Sequence, residues 1–385
     1  MSTVISETQS HSDPVPFGLN TLLYYDYAPR AAAAVPPPAP PDKLRILWVT
    51  SLRDIGAEDL NGARVAVPEG EFYMMGLLEA LIRRHNGEAL LHHFLTPDLV
   101  RVYQQADPME LYHGAAVRSF DWMKAMLMLR VIDRDAFFTE RVELAGVVID
   151  DIERDLERGR LGKYALTPGG GRHWIAPEHL EAGSDGGRRP LAQLVRHVPS
   201  DYRCLPLNDP RRPEAKARFE AKIAALFRET GANLLVFDHA MFIAYNLIGA
   251  HGLQPYILNI HPAIVEPDHP NAFFGCTPTA NALTCARNSA RPVSTGATLH
   301  FIDNGIDTGP RLLVGNLTNV YPEDHAVQLR LRNYSAKLLV FFLGLKHYAE
   351  NVRPYFGAPG LGLADLQSSK RRVTLEGLLA TPDET

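Results

Sequence analysis

Apolar and polar residues alternate along the chain in two patterns, one typical of buried strands and one typical of amphipathic helices. The apolar run Leu44–Thr50 predicts the first strand, and the runs 233–238 and 255–260 predict two more. Ahead of these two runs, residues 213–230 carry apolar side chains at the i, i+4, i+7 and i+8 spacing of one buried helix face. Strands that alternate with helices indicate βαβ units, so we predict an α/β fold with a mostly parallel sheet flanked by helices.

The same patterns predict the remaining elements of both halves. Helices are predicted at 71–85, 109–129, 136–144, 150–158, 241–250, 278–288 and 323–351, and strands at 89–95, 144–149, 202–205, 296–302 and 312–318. The glycine-rich stretch 169–171 is not followed by Lys-Ser/Thr, so it predicts an ordinary loop and not a phosphate cradle.

Composition shifts divide the chain into five segments. We predict an N-terminal arm and Pro-rich linker at 1–42, a first part of the α/β core at 43–96, a large insertion at 97–195, the main core at 196–352 and a C-terminal tail at 353–385. The aromatic patch from Phe17 to Tyr27 should dock on the body of the protein or on a partner subunit, which would suit a homodimer.

Composition and charge narrow the classes of function. The 385 residues are 46% hydrophobic and 22% charged, as expected for a globular protein with a large core, and the net charge is −5. Without a basic excess, nucleic acid is an unexpected partner. The three cysteines match no zinc or disulfide spacing, so we predict no metal site and a reducing, cytoplasmic location. No signal peptide and no membrane span is predicted.

Polar side chains follow two of the predicted strands. Asn259 and His261 end one apolar run two residues apart, and Asp307 follows another on a Gly/Pro turn. Because residues i and i+2 of a strand point to the same side, the amide and the imidazole can address one target together. If Asp307 folds back beside them, the three groups suit a reaction that passes through a tetrahedral oxyanion.

The motifs around these residues resemble those of a known family. Asn259-Ile-His261-Pro262, Phe274-Gly275, the stretch 296–301 and the run 306–310, Ile-Asp-Thr-Gly-Pro, look like those of the folate-dependent formyltransferases. The likeness covers about 196–350 well and the strand at 44–50 loosely. It implies a Rossmann-like formyltransferase fold, catalytic roles for Asn259, His261 and Asp307, and 10-formyltetrahydrofolate as the formyl donor.

The resemblance also implies where the donor binds and how the three catalytic groups act. The pterin ring would lie against two backbone stretches, made of Ala240, Met241, Phe242 and Ile243, and of Asp303, Asn304, Gly305 and Ile306. Asn259 and a protonated His261 would donate to the oxyanion, while Asp307 would keep His261 cationic and relay a proton through water.

Two stretches depart from the family pattern. The usual His-Pro-Ser-Leu-Leu-Pro reads His261-Pro-Ala-Ile-Val-Glu266-Pro267 here, with an extra acidic residue beside the catalytic histidine. The loop 50–56 is poor in glycine and partly acidic, which argues against a ribonucleotide acceptor. The insertion at 97–195 is predicted to form an acceptor pocket or a lid. A contact between subunits is a further alternative for this segment.

We therefore predict an enzyme that transfers a formyl group from 10-formyltetrahydrofolate to a small-molecule amine or hydroxylamine. Three alternatives stay open: a hydrolase that passes the same group to water, an enzyme on this fold that uses another acyl or carbamoyl donor, and a non-catalytic binding protein. The intact Asn259, His261 and Asp307 weigh against the last of these.

Overall fold

The computed structural model describes residues 18–30, 43–50, 136–150, 181–182, 189–190, 194–238, 243–275, 277–324, 326–356 and 361–379. The elements predicted at 71–85, 89–95, 109–129 and 150–158, the loop at 169–171, the Pro-rich linker and most of the predicted insertion lie outside these residues. Backbone packing divides the chain into two units. The parallel unit has its described residues between 43 and 258, and the antiparallel unit has them at 18–30 and from 259 onward.

The described residues form eleven strands and seven α-helices, numbered here in chain order. The strands are β1 (Thr21–Pro29), β2 (Leu44–Thr50), β3 (Val142–Ile149), β4 (Glu181–Ala182), β5 (Arg189–Pro190), β6 (Val195–His197), β7 (Leu234–Asp238), β8 (Ile257–His261), β9 (Val293–Phe301), β10 (Arg311–Val320) and β11 (Leu366–Thr374). The helices are α1 (Ala136–Arg141), α2 (Arg212–Glu229), α3 (Tyr245–Ile248), α4 (Pro278–Asn288), α5 (Ala326–His347), α6 (Arg353–Phe356) and α7 (Leu375–Leu379).

The parallel unit contains the βα alternation that the hydrophobic pattern predicts. Its strands lie in the order β7-β2-β3-β6, and every adjacent pair among them is parallel. The side chain of Asn233 donates to the carbonyl of Lys43 at 3.0 Å and accepts from the amide of Arg45 at 2.8 Å, which fixes where β2 and β7 begin together. The strand β3 comes from the range predicted as an insertion, yet it pairs along β2.

The antiparallel unit is built by both ends of the chain. Its strands lie in the order β11-β1-β10-β9-β8, with β1 antiparallel to both β10 and β11. The aromatic patch therefore forms a buried strand of the sheet, and the C-terminal segment covers it as an edge strand rich in exposed charge. Neither segment is predicted as a strand from the sequence, because their side chains lack a clear alternation of apolar and polar positions.

A hydrophobic cluster in the antiparallel unit supports the loop that follows β8. Ala263 and Phe273, at the two ends of this loop, pack with apolar residues of α4, β9, β10 and α5. The long helix α5 packs along β9 and β10. The loop is thus anchored by apolar contacts at both ends, which limits the movement of the residues between them.

Several observed elements differ from the predicted ones in where they begin or end, or in their type. The helix predicted at 136–144 ends at Arg141, because the apolar run from Val142 pairs with β2 as a strand. The strand predicted at 202–205 is wrong. Residues Asp201–Cys204 form a 3-10 turn, with buried Tyr202 packed on Phe219. The helix predicted at 323–351 begins at Ala326, and a π-helical turn, Tyr348–Val352, follows it.

The helix predicted at 241–250 is found only as the short α3 within the described part of that range. The elements predicted at 44–50, 213–230, 233–238 and 278–288 agree with β2, α2, β7 and α4 to within a residue. Among the residues described, no helix is both long and apolar enough to cross a membrane.

Candidate active site

Strand β8 brings Asn259 and His261 to one carboxylate. The Nδ2 of Asn259 lies 3.4 Å from Oδ1 of Asp307, and Nδ1 of His261 lies 3.3 Å from the same oxygen. The two side chains address one atom because they are two residues apart on a strand. The amide, imidazole and carboxylate that the sequence suggested are thus brought together.

Asp307 reaches this position on a tightly closed loop between β9 and β10. Its φ is 55°, in the left-handed region that few non-glycine residues occupy. The carboxylate of Asp303 accepts from Gly305 N at 2.9 Å and from Thr308 Oγ1 at 2.8 Å, which closes the loop on itself. A Cβ on Gly309 would stand 1.8 Å from the carbonyl oxygen of Phe301, so only glycine permits this approach of the backbone.

The second ring nitrogen of His261 is also held. Its Nε2 lies 3.0 Å from the carbonyl oxygen of Phe273, which can only accept, so Nε2 carries a proton. Nδ1 then faces an ionised carboxylate, and a proton on both nitrogens satisfies both contacts at once. The ring is 5% exposed, so these two contacts fix its orientation within the protein interior.

His300 is a member of the site that the sequence patterns did not single out. Its Nδ1 donates to the carbonyl oxygen of Phe301 at 2.7 Å, which leaves the lone pair of Nε2 to accept from Asn259 Nδ2 at 3.0 Å. Nε2 is 3.7 Å from Asp307 Oδ1, too far for a hydrogen bond. His300 could have been predicted from its position, because it is a single imidazole near the end of the apolar run that leads to Asp307.

The surroundings of Asp307 keep its carboxylate ionised. Burial alone would raise its pKa, but the hydrogen bond and positive charge of His261 outweigh burial and hold the pKa of Asp307 well below its ordinary value. His300 adds no hydrogen bond here, because its Nε2 accepts from Asn259 and lies 3.7 Å from Asp307. The amide of Gly275 also donates to Oδ2 at 2.9 Å, so both carboxylate oxygens have donors.

The predicted donor-binding residues fall in two parts of the chain. Asp303, Asn304, Gly305 and Ile306 form the loop that ends at Asp307, and Ile306 is 57% exposed although apolar. The carboxylate of Asp303 is occupied within the loop. Ile243 lies just ahead of α3, and Ala240, Met241 and Phe242 lie outside the described residues. Within the described part of the chain, no cluster of His, Cys, Asp or Glu has the arrangement of a metal site.

Comparison with known proteins shows which family part of the chain resembles. Residues 189–340 match the family model described as Formyl transferase. Over this region the chain is similar to the formyl transferases. The region contains the four side chains described above. The family resemblance and the α/β fold class predicted from the sequence are confirmed.

Solved structures with a similar fold are formyl transferases and related enzymes. PvdF of pyoverdin biosynthesis, an N10-formyltetrahydrofolate-dependent formyltransferase, is 24% identical over 80% of this chain and 100% of its own, with a TM-score of 0.51. This likeness supports the fold.

Two further matches are looser. Glycinamide ribonucleotide transformylase 1 from Symbiobacterium toebii is 16% identical over 80% of this chain and 88% of its own, with a TM-score of 0.37. A formyltetrahydrofolate deformylase from Pseudomonas syringae pv. tomato str. DC3000 is 15% identical over 80% of this chain and 62% of its own, also with a TM-score of 0.37.

Proposed function

We propose that this formyl transferase moves a formyl group from 10-formyltetrahydrofolate to a small-molecule amine or hydroxylamine. The observation that carries the proposal is the convergence of Asn259 and His261 on one oxygen of Asp307, at 3.4 and 3.3 Å. An amide donor, a protonated imidazole and an ionised carboxylate are the groups that addition to a formyl carbon requires.

Each group has a distinct role in the proposed reaction. The acceptor nitrogen bonds to the formyl carbon, and the carbonyl oxygen takes up negative charge. Asn259 donates to that oxygen through Nδ2, and His261 donates through Nδ1, because its Nε2 proton is held by the carbonyl of Phe273. The longer of the two contacts of Asn259, at 3.4 Å to Asp307, is the one that the substrate oxygen can replace without loss. One such donor lowers the barrier by about 3–4 kcal/mol.

Asp307 handles the protons. The acceptor nitrogen loses a proton as it adds, and the bond from the formyl carbon to the donor nitrogen breaks as that nitrogen gains one. Asp307 stays ionised, because its pKa lies well below its ordinary value. Its carboxylate therefore orders the water molecule that carries the proton and is not itself a lasting proton acceptor. His300 keeps Asn259 oriented, because its Nε2 accepts from the amide at 3.0 Å.

The residues of the antiparallel unit fit a folate donor. The loop 303–306 leads directly to Asp307 with Asn304 and Ile306 exposed, and Ile306 offers an apolar side chain to a flat ring. Ala240, Met241, Phe242 and Ile243 remain the proposed second contact. The description of PvdF as dependent on N10-formyltetrahydrofolate is compatible with this donor. A net charge of −5 favours a small acceptor over a nucleic acid.

One assay separates the proposal from its alternatives. The protein is incubated with 10-formyltetrahydrofolate alone and then with pooled amines and hydroxylamines, and tetrahydrofolate release is followed. We expect release that depends on an acceptor and that is absent in Asp307→Asn. Release without any acceptor would establish hydrolysis instead. No release in either case, together with no heat of folate binding by calorimetry, would indicate a different donor.

A further inference from the structure

The acidic residue that departs from the family pattern is buried five positions after His261. Glu266 is 6% exposed. One carboxylate oxygen accepts from the hydroxyl of Tyr25 on β1, and the other accepts from the ammonium of Lys370 on β11. The guanidinium Nε of Arg311, on β10, lies 3.7 Å away. Three different strands of the antiparallel unit therefore converge on this one side chain.

The three partners are what make a buried carboxylate tolerable at this position. An unpaired ionised carboxylate in the interior is strongly destabilising, because it loses its hydration. Burial in the first place, and then the charge of Glu266 and its hydrogen bond, raise the pKa of Tyr25 well above its ordinary value. The hydroxyl of Tyr25 therefore keeps its proton and remains the donor in this contact.

Glu266 also lies within the loop whose far end orients His261. Its backbone carbonyl accepts from His269 N at 3.0 Å, and the carbonyl of the preceding residue, Val265, accepts from Arg311 Nε at 2.8 Å. Farther along, Phe273 N donates to the carbonyl of Ile264 at 2.9 Å. The carbonyl of Phe273 is the group that receives the Nε2 proton of His261.

Tyr25 and Lys370 lie outside residues 189–340, the part of the chain that matches the formyl transferase family. We infer that Glu266 is a positioning residue, through which the two terminal strands hold the loop 262–273 and thereby the ring of His261. The N-terminal arm and the C-terminal strand would then take part in catalysis indirectly, through the carbonyl of Phe273. This goes beyond the proposed function and rests on it only for the kinetic test below.

A purely structural ion pair makes a different prediction from a positioning one. If Glu266 only stabilises the sheet, its removal lowers the melting temperature and leaves the folded site unchanged. If it positions the loop, its removal shifts the carbonyl of Phe273, changes the environment of His261 Nε2, and slows the reaction in protein that is still fully folded.

The first test needs no substrate. The full chain is labelled with 15N-histidine, and the ring nitrogens of His261, identified by their absence in His261→Gln, are followed by NMR in Glu266→Gln and Tyr25→Phe. Both variants should shift or broaden these signals, with the larger change in Glu266→Gln. Asp268→Asn, which neutralises an exposed carboxylate on the same loop, is the matched control and should leave them unchanged.

The second test uses tetrahydrofolate release in the presence of an active acceptor, well below the melting temperature. Glu266→Gln should lower kcat roughly 10-fold and leave KM for the folate donor nearly unchanged, because the substitution affects the orientation of His261 and not the binding of the donor. The kcat of Tyr25→Phe should lie between that of Glu266→Gln and that of the parent protein.

Unchanged His261 signals in both variants would overturn the inference, whatever the melting temperatures. If the parent protein shows no formyl release, the proposed function fails, and the NMR comparison alone still decides whether Glu266 positions His261.

Discussion

Two aspartates near strand ends show how the same side chain serves different purposes in the two units. Asp150 follows β3 directly in the parallel unit, and its side chain is fully buried against Arg203. Asp307 follows β9 in the antiparallel unit, and its side chain is 12% exposed and faces His261. Both carboxylates have short-range partners, but one partner is a guanidinium and the other is an imidazole.

The two carboxylates differ in the side chain that each one contacts and in their exposure to solvent. Arginine stays protonated at any pH that a folded protein meets, so the contact between Arg203 and Asp150 holds structure in place. Asp307 instead faces an imidazole, and its exposed fraction lets water or substrate reach it. A buried carboxylate is therefore a candidate for chemistry when its partner is an imidazole and one side of it stays open.

Neutralising each aspartate in turn should show the largest difference between the two sites. Asp307→Asn should lower kcat by about 100-fold or more, as expected for the loss of a proton-handling group, with the protein still folded. Asp150→Asn should instead lower the free energy of unfolding by about 3 kcal/mol, because Arg203 loses a buried counter-charge. Urea denaturation and tetrahydrofolate release measure the two effects. An Asp150 variant with a comparable loss of kcat would remove the distinction.

The partner of Asp307 should be as sensitive as the aspartate itself. His261→Ala removes a donor to the oxyanion and should lower kcat about 10²–10³-fold. Because the ring is buried and bonded to Phe273, the variant should also melt at a lower temperature, so the assay is run well below that point. His251→Ala, a histidine of the parallel unit bonded to Arg228, is the control and should retain full activity.

His300 should matter less, since it acts through Asn259. His300→Gln should lower kcat roughly 10-fold by loosening the amide, with a smaller effect on the affinity for a folate analogue. Calorimetry and steady-state kinetics separate these two quantities. A loss as large as that of His261→Ala would mean that His300 contacts the reacting atoms itself.

The smallest expected effect is on stability in acid. The pKa of Asp307 is depressed in the folded protein, so its contribution to stability is present above the unfolded-state pKa and is lost as pH falls toward the folded-state pKa. The difference in free energy of unfolding between the parent and Asp307→Asn should be constant above about pH 5 and should shrink progressively as the pH falls below it. A difference that already shrinks above pH 5 would contradict the depressed pKa.

The core of the site could be predicted because its signals are local. The spacing of Asn259 and His261 on a short apolar run, and a carboxylate on a Gly/Pro turn after another run, depend only on strand period and turn chemistry. The groups that hold these side chains could not be predicted in the same way. The carbonyl of Phe273 and the amide of Gly275 are backbone atoms, which every residue carries, so no residue type marks them.

Residue types at short, regular spacings were enough to predict the α/β alternation, the family resemblance and the three polar side chains. The pairing of both chain ends in the antiparallel unit, and the contact of Tyr25 with Glu266 across 241 positions, could be seen only in the folded chain. Contacts between residues so far apart are selected by how whole strands pair and pack, a choice made by the sum of many weak contacts that no local pattern contains.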